Sequence, residues 1–126
     1  MDRKQVAKAT TKVISSYLTY QAVQNVLEQL TETNPPLALW LRSFSGRSIL
    51  QDGEAYLLAL LVEHQELAFR IMTVREYLIE EIMEDLPEMV FHEIKLKNSQ
   101  HRKQQLEKLS QLSITEPRLN LESSSE

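Results

Sequence analysis

Residues 3 to 31 carry one uninterrupted helical pattern, and this pattern limits the chain to a helical fold. Apolar residues recur at spacings of three and four on one face: Val6, Ala9, Val13, Tyr17 and Tyr20. A second apolar set lies about a third of a turn away and consists of Ala7, Ile14 and Leu18. Because a small monomer normally needs one apolar stripe per helix, this helix indicates a second partner, such as a symmetry-related copy.

Turn-forming residues are scarce in the rest of the chain as well. The 126 residues include 2 glycines and 4 prolines, which favours helices and leaves a sheet without turn residues. We therefore predict an all-α fold, a bundle of helices with a long kinked C-terminal helix. The length predicts one domain. Since the chain has no cysteine, disulfides, zinc–cysteine sites and thiol nucleophiles are excluded, and a reducing compartment such as the cytosol is expected.

The segment after the first helix contains start and stop signals for a second one. Asn34 is predicted to cap it, with Pro35 in the first position, where a missing N–H costs nothing. We expect Trp40 and its apolar neighbours to face inward. Gly46 is predicted to end the helix in a left-handed conformation.

A short third helix is predicted to end near Val62, and two starting points are open. Ser48 with Gln51 would form a capping box, whereas Asp52 would place Gly53 near the helix start rather than inside it. We favour Asp52. The helix after it begins at Glu63 or His64.

Pro87 interrupts the long C-terminal pattern. Its ring crowds the preceding turn, so the helix must stop or bend near Leu86. Helical spacing resumes at Val90 and Ile94, which favours a bend. From residue 113 the pattern is lost, and residues 113–126 are predicted to form a disordered acidic, serine-rich tail after a helical domain of residues 1–112.

Charge and hydropathy exclude several classes of partner. The net charge is −4, whereas nonspecific nucleic-acid binders are usually basic, so no nucleic acid is expected. The acids of residues 76 to 93 are interpreted as a solvated helix face. No secretory signal is expected at the N-terminus, and the apolar run from Ala55 to Val62 is too short to cross a membrane.

Catalytic and metal-binding patterns are missing from the sequence. His92-Glu93 is not followed by a second histidine at the metalloprotease spacing, and no glutamate has a histidine three residues later, as di-iron bundles require. His64 and His101 are isolated. We expect no metal, no cofactor and no enzyme activity.

Tyr17 and Tyr20 lie about one helical turn apart and form a pair on one side of the first helix. Two interpretations are open. In the first, which the spacing alone favours, both are core aromatics. In the second, they form a solvent-exposed face that accepts aromatic side chains of another chain. Solvent exposure of the two side chains distinguishes the interpretations.

Several unusual strings occur along the chain in a fixed order. They are Ser-Tyr-Leu-Thr-Tyr-Gln-Ala-Val at residues 16–23, Glu-Thr-Asn-Pro-Pro at 32–36, Ala38 to Leu41, Leu67 with Arg70-Ile71 and Val74-Arg75-Glu76, Leu86-Pro87-Glu88-Met89, and His101-Arg102. Together they resemble the RbcX-type Rubisco assembly chaperones, and the likeness spans residues 1 to 112.

The resemblance implies an arc-shaped homodimer whose central groove binds the C-terminal tail of the Rubisco large subunit, a peptide with alternate aromatic residues. Implied groove residues are Tyr17, Tyr20, Leu50, Gln51 and Val13. Leu50 stands where the family commonly has isoleucine, and Val13 where some members have threonine. A peripheral surface is implied to contact the neighbouring large subunit through Gln29, Glu32, Asn34, Arg70 and Arg102. Asp52-Gly53-Glu54 also varies between members.

The resemblance further implies promotion of large-subunit dimer and octamer assembly by a cyanobacterial-type cytoplasmic protein, with carboxysome association left open. The alternative is a dimeric helical scaffold or adaptor that has no peptide groove and keeps its tyrosines in the core.

Overall fold

The computed structural model consists of helices joined by short connections. The helices are α1 (Arg3–Thr33), α2 (Pro35–Phe44), α3 (Ser48–Gln51), α4 (Gly53–Glu63), α5 (Gln65–Ile82) and α6 (Leu86–Ser124). The structure describes the backbone of residues 2–46 and 48–124 and the side chains of residues 2–46 and 49–112. These residues contain no strand, so the prediction of an all-α fold is confirmed.

Side-chain caps set most of the helix boundaries. Asp2 begins α1 with a capping box, because its carboxylate accepts a hydrogen bond from the Gln5 N–H at 2.8 Å and the Gln5 side chain accepts one from the Asp2 N–H. Asn34 serves two helices. Its N–H donates to the Leu30 carbonyl at 2.7 Å, and its side chain accepts from the Leu37 N–H, so the predicted cap of α2 is confirmed.

Both candidate starts of the third helix are used, because the predicted helix is divided in two. Ser48 begins α3, and Asp52 caps α4 by accepting a hydrogen bond from the Ala55 N–H at 3.1 Å. The prediction for Gly46 is wrong. Its φ is not positive, and α2 instead ends at Ser45 in an extended conformation.

The core belongs to a first compact unit, Met1–Met83, in which α1 packs against α2, α3, α4 and α5. Its largest fully buried apolar side chains are Leu41, Ile49, Leu60, Ile71, Val23 and Val26. Burying one such aliphatic side chain stabilises the fold by roughly 1.5–3 kcal/mol. The apolar core of α1 begins only at Leu18. Val6, Val13 and Tyr17 from the predicted apolar face are exposed in the single chain.

Trp40 is also exposed rather than inward-facing, which corrects the prediction for α2. Its ring stacks on Phe44 with centroids 5.3 Å apart and lies 5.7 Å from the ring of His64. Leu41, the next residue, lies on the side of α2 that faces the core and is fully buried.

The predicted bend at Pro87 is replaced by a break between two helices. α5 ends at Ile82, residues 83–85 form a turn, and Pro87 lies in the first turn of α6, where its missing N–H is tolerated. No extended loop follows Leu86. α6 lies in a second compact unit, Glu84–Glu126.

The structure gives helix through Ser124, where the sequence predicted disorder from residue 113. The side chains from residue 113 onward and residues 125 and 126 lie outside the described part. A domain boundary at residue 112 therefore stays a prediction.

Candidate functional site

A groove of about 740 Å³ lies where α1, α2 and α3 meet. The described residues that line it are Tyr20, Gln24, Leu27, Arg42, Ser45, Gly46, Ile49, Leu50 and Gln51. Ile49 points into the core and is fully buried, whereas the next residue, Leu50, is 51% exposed. This change in exposure shows how α3, although only one turn long, anchors one side chain and presents the next to the groove.

The groove brings together part of the predicted peptide site. Tyr20 from α1 lies with Leu50 and Gln51 from α3. Tyr20 is partly buried and packs against the core, so its ring gives the groove a firm apolar wall. The side chains of Tyr17 and Val13 do not line this groove and instead lie on the exposed part of α1.

Tyr17 is 53% exposed in the single chain. Its hydroxyl accepts a hydrogen bond from the Gln21 Nε2 at 3.1 Å, one turn along the same helix. The interpretation of both tyrosines as core aromatics is therefore wrong for Tyr17, and it holds only in part for Tyr20.

A close contact between α1 and the start of α4 positions the α3 segment. The buried Ser16 hydroxyl accepts a hydrogen bond from the Gly53 N–H at 3.0 Å. A Cβ at residue 53 would lie 2.9 Å from the Thr19 Oγ1 and 3.0 Å from the Ser16 Cα. Only glycine fits there without movement. Sequence analysis missed this role of Gly53, although the residue is one of only 2 glycines in the chain.

An ion pair between α4 and α5 is the centre of a second set of contacts that involve α1. The Arg75 Nη1 on α5 lies 2.7 Å from the Glu54 Oε1 on α4 and donates to the Thr19 Oγ1 at 3.1 Å. Ser15 donates to the same Glu54 oxygen at 3.0 Å. These polar contacts tie α1, α4 and α5 together and help to hold the helix that supports the groove.

The predicted peripheral residues fall in both units. The Gln29 Oε1 on α1 accepts a hydrogen bond from the Arg70 Nη2 on α5. Glu32 and Asn34 are exposed at the end of α1 and just after it. Arg102 lies on α6, where its neighbours in a shallow surface depression include Ser99 and Lys103. The structure thus joins Gln29 with Arg70, while Arg102 is described only within its own unit.

Tyr56 has a raised pKa and lies next to a residue that lines the groove. Its hydroxyl oxygen lies 2.5 Å from the Ser45 Oγ, beside the groove, and its ring packs against Phe44 with centroids 5.7 Å apart. Burial raises the pKa of Tyr56 above its usual value of 10.0, and the hydrogen bond with Ser45 partly offsets this rise.

Within residues 2–46 and 49–112, the described side chains form no cluster of three or more His, Cys, Asp or Glu that could hold a metal ion. His64 has a structural role instead, because its Nδ1 accepts a hydrogen bond from the Leu67 N–H at 3.3 Å and caps α5. In the described part of the chain, no helix is long and apolar enough to span a bilayer.

Comparisons with known proteins identify the family. Residues 1–111 match the family profile described as RbcX protein. The RuBisCO chaperone RbcX of Anabaena sp. (strain CA) is 55% identical over 117 residues, which cover 93% of this chain and 86% of the relative. The protein of the same name from Thermosynechococcus vestitus is 53% identical over 113 residues, 90% of each chain.

A solved structure described as RbcX in complex with substrate has 50% sequence identity and a TM-score of 0.80, and the match covers 87% of this chain and 99% of that chain. The relatives that match this chain are named as chaperones, so the class of protein that these matches define is a chaperone class. The chain belongs to the RbcX protein family, which confirms the resemblance found in the sequence strings.

Proposed function

We propose that this protein is a Rubisco assembly chaperone that binds the C-terminal tail of the Rubisco large subunit in the groove between α1, α2 and α3. The observation that carries the proposal is the meeting of Tyr20, Leu50 and Gln51 in one apolar-walled groove. An aromatic wall beside exposed amide groups suits an extended peptide with alternate aromatic side chains. The names of the relatives and the substrate complex of a similar structure support the same function.

The working unit in this proposal is a homodimer. The N-terminal half of α1 exposes Val6, Val13 and Tyr17, and α6 exposes further large apolar side chains: Met89, Val90, Phe91, Ile94, Leu96, Leu106, Leu109 and Leu112. None of the described side chains of α6 is buried in the single chain. Because long helices in proteins gain most of their stability by packing an apolar face, a second copy is the natural cover for both surfaces.

In this proposal, Tyr17 and Val13 contribute to the peptide groove only in the homodimer. They follow the line of α1 away from Tyr20, so a partner copy that meets this exposed stripe would extend the groove across the two-fold axis. The scaffold alternative is disfavoured, because it requires Tyr17 in the core, whereas Tyr17 is 53% exposed.

The peripheral surface supplies the second contact of the proposal. The hydrogen bond between Gln29 and Arg70 holds an amide and a guanidinium side by side, and a polar partner can bind both. Together with Glu32, Asn34 and Arg102, this surface would contact a neighbouring large subunit. Two weak contacts on one partner raise the effective affinity while each remains quickly reversible.

Reversible binding stabilises the bound form of the large subunit by mass action and so favours its dimers and octamers. The proposal needs no nucleotide, metal or cofactor. It places the protein in the cytoplasm of a cyanobacterial-type cell, without nucleic-acid or membrane partners, and with carboxysome association left open.

Pull-down of Rubisco large subunit by the complete protein tests the proposed function. Capture of the intact subunit and loss of capture after removal of its C-terminal tail are expected. Equal capture of both forms would overturn groove binding of the tail. Sedimentation at low micromolar concentration tests the homodimer, and a folded monomer under those conditions would contradict it.

A further inference from the structure

The groove is lined by one positively charged side chain that is not among the predicted site residues. Arg42 lies in the last turn of α2, and of the described residues that line the groove it is the one with a charged side chain. No Asp or Glu is found among these described lining residues. The described lining residues therefore carry one positive charge and no negative charge, although the whole chain has a net charge of −4.

Three cations of the described residues have hydrogen-bond or ion-pair partners, whereas Arg42 has none within those residues. Arg70 donates to Gln29, Arg75 pairs with Glu54, and Lys97 lies 3.8 Å from Glu93. The guanidinium of Arg42 forms no hydrogen bond or ion pair with any described residue, so its donors are available to a ligand. Its apolar neighbours in the groove, Leu27 and Leu50, reduce the water around a bound partner.

We propose that Arg42 determines specificity in the groove by pairing with a carboxylate of the bound peptide, so that the groove selects peptides with an acid beside their aromatic residues. This inference rests on the proposed function and adds an acid-binding position to it. A guanidinium binds a carboxylate through two parallel N–H donors, which a neutral amide of the same shape cannot match. Apolar walls then hold the aromatic side chains while Arg42 selects the acid.

A helix-end role for Arg42 makes a different prediction. A cation in the last turn of α2 also stabilises that helix through its dipole, typically by about 0.3–1 kcal/mol. Such a role changes the stability of the protein but not its preference for an acidic peptide over a neutral one. Peptide selectivity, measured on one folded protein, therefore separates the two roles.

The test uses the complete protein and two synthetic peptides with alternate phenylalanines, separated by glutamate in one and by glutamine in the other. Both peptides are acetylated and amidated, so that side chains carry the only difference in charge. Calorimetry should give the wild-type protein about tenfold higher affinity for the glutamate peptide. A third peptide, with glutamine and a free C-terminus, shows whether a terminal carboxylate serves equally well.

Three variants complete the test. Arg42→Gln should bind the glutamate and glutamine peptides with equal affinity, and Arg42→Lys should keep part of the preference because it keeps the charge. Arg3→Gln makes the same change of net charge at an exposed residue outside the described groove lining and should keep the full preference. Circular dichroism verifies that each variant is folded.

The outcomes distinguish this inference from the proposed function. If the wild-type protein binds all peptides with equal affinity, the groove binds peptides but the role of Arg42 is wrong. A preference that survives in Arg42→Gln also overturns it. If the wild-type protein binds none of the peptides while large-subunit capture still requires the tail, the inference fails and the proposed function stands. Failure of both measurements overturns both.

Discussion

The Gly53 N–H donates to the buried Ser16 hydroxyl at 3.0 Å, and this hydrogen bond joins α1 to the start of α4. The residues just before Gly53 are Leu50, Gln51 and Asp52, so the contact fixes one wall of the groove against α1. A tight approach of two helices thus determines where the ligand-facing side chains of α3 stand.

Replacing Gly53 by alanine should destabilise the protein by about 1–3 kcal/mol. The added Cβ would lie 2.9 Å from the Thr19 Oγ1, and the neighbouring backbone of Ser16 cannot yield as a flexible side chain would. Denaturant unfolding measures the loss. Gly46→Ala is the matched control, because a Cβ there meets nothing within 4 Å and its φ is not positive. Equal stability of the two variants would contradict the packing argument.

Leu50→Ala should weaken binding of the large-subunit tail peptide by about tenfold, or ~1.4 kcal/mol, because Leu50 supplies exposed apolar surface to the groove. The free energy of unfolding should change by less than about 0.5 kcal/mol, since the side chain is half-exposed. Leu58→Ala removes a similarly exposed leucine of α4 that does not line the groove, and it should leave peptide binding unchanged.

Tyr20→Ala is expected to lower peptide affinity by about thirtyfold, or ~2 kcal/mol, as for a buried aromatic anchor. Because Tyr20 also packs against the core, some loss of thermal stability should accompany it. Peptide affinity and thermal unfolding are measured on the same sample. Full binding by a folded Tyr20→Ala protein would exclude Tyr20 from the site.

Arg70→Ala should impair assembly of Rubisco large subunits while tail-peptide affinity changes less than about twofold. Gln29→Ala should have the same effect, because Gln29 and Arg70 are hydrogen-bonded and present one surface. Arg102→Ala is expected to follow them if α6 contributes to the same contact. Native gels report the assembled octamer, and calorimetry reports the peptide affinity. A parallel loss of peptide affinity would contradict separate groove and peripheral functions.

Arg75→Met should lower the free energy of unfolding by about 1 kcal/mol. The substitution keeps most of the side-chain volume but removes the ion pair with Glu54 and the donor to the buried Thr19. Lys97→Met serves as control, because its pairing with Glu93 is exposed and such pairs contribute little. Similar urea midpoints for Arg75→Met and the wild-type protein would show that the Arg75 contacts are energetically neutral.

The raised pKa of Tyr56 predicts that the protein loses stability at alkaline pH. Burial raises the pKa of Tyr56 in the folded protein above the unfolded value of 10.0, so its stabilising effect is fully present below pH 10 and is lost as the pH rises through the folded pKa. Tyr56→Phe keeps the ring and removes the ionisation. Its melting temperature should therefore fall less between pH 9 and pH 11 than that of the wild-type protein, as scanning calorimetry can measure. Identical pH profiles would contradict this assignment.

The sequence alone was sufficient for the helical class and for several helix boundaries. Asn34 and Asp52 were identified as caps because a cap depends on residues only a few positions away. The same local character explains the interruption near Pro87, whose ring and missing N–H act on the adjacent turn. The apolar spacing at Val90 and Ile94 favoured a bend, whereas the structure has a turn at residues 83–85, because both arrangements satisfy the backbone near a proline.

Tertiary structure decided which apolar faces are covered. Periodicity places Val13, Tyr17 and Tyr20 on one face of α1, yet in the single chain only Tyr20 reaches the core, because burial depends on where the other helices of the bundle lie. Trp40 is exposed for the same reason.

The position of the groove also could not be predicted without the tertiary structure. The residues that line the groove lie far apart in the sequence. The hydrogen bond that positions one of its walls joins Ser16 to Gly53, which are separated by 37 positions in the sequence. Helical periodicity and caps arise from near neighbours and are visible in the sequence, whereas a groove arises from the packing of whole helices. The sequence therefore determined the helical class, several helix boundaries and the family, and only the three-dimensional packing decided that Arg42 lines the same groove as Tyr20 and Leu50.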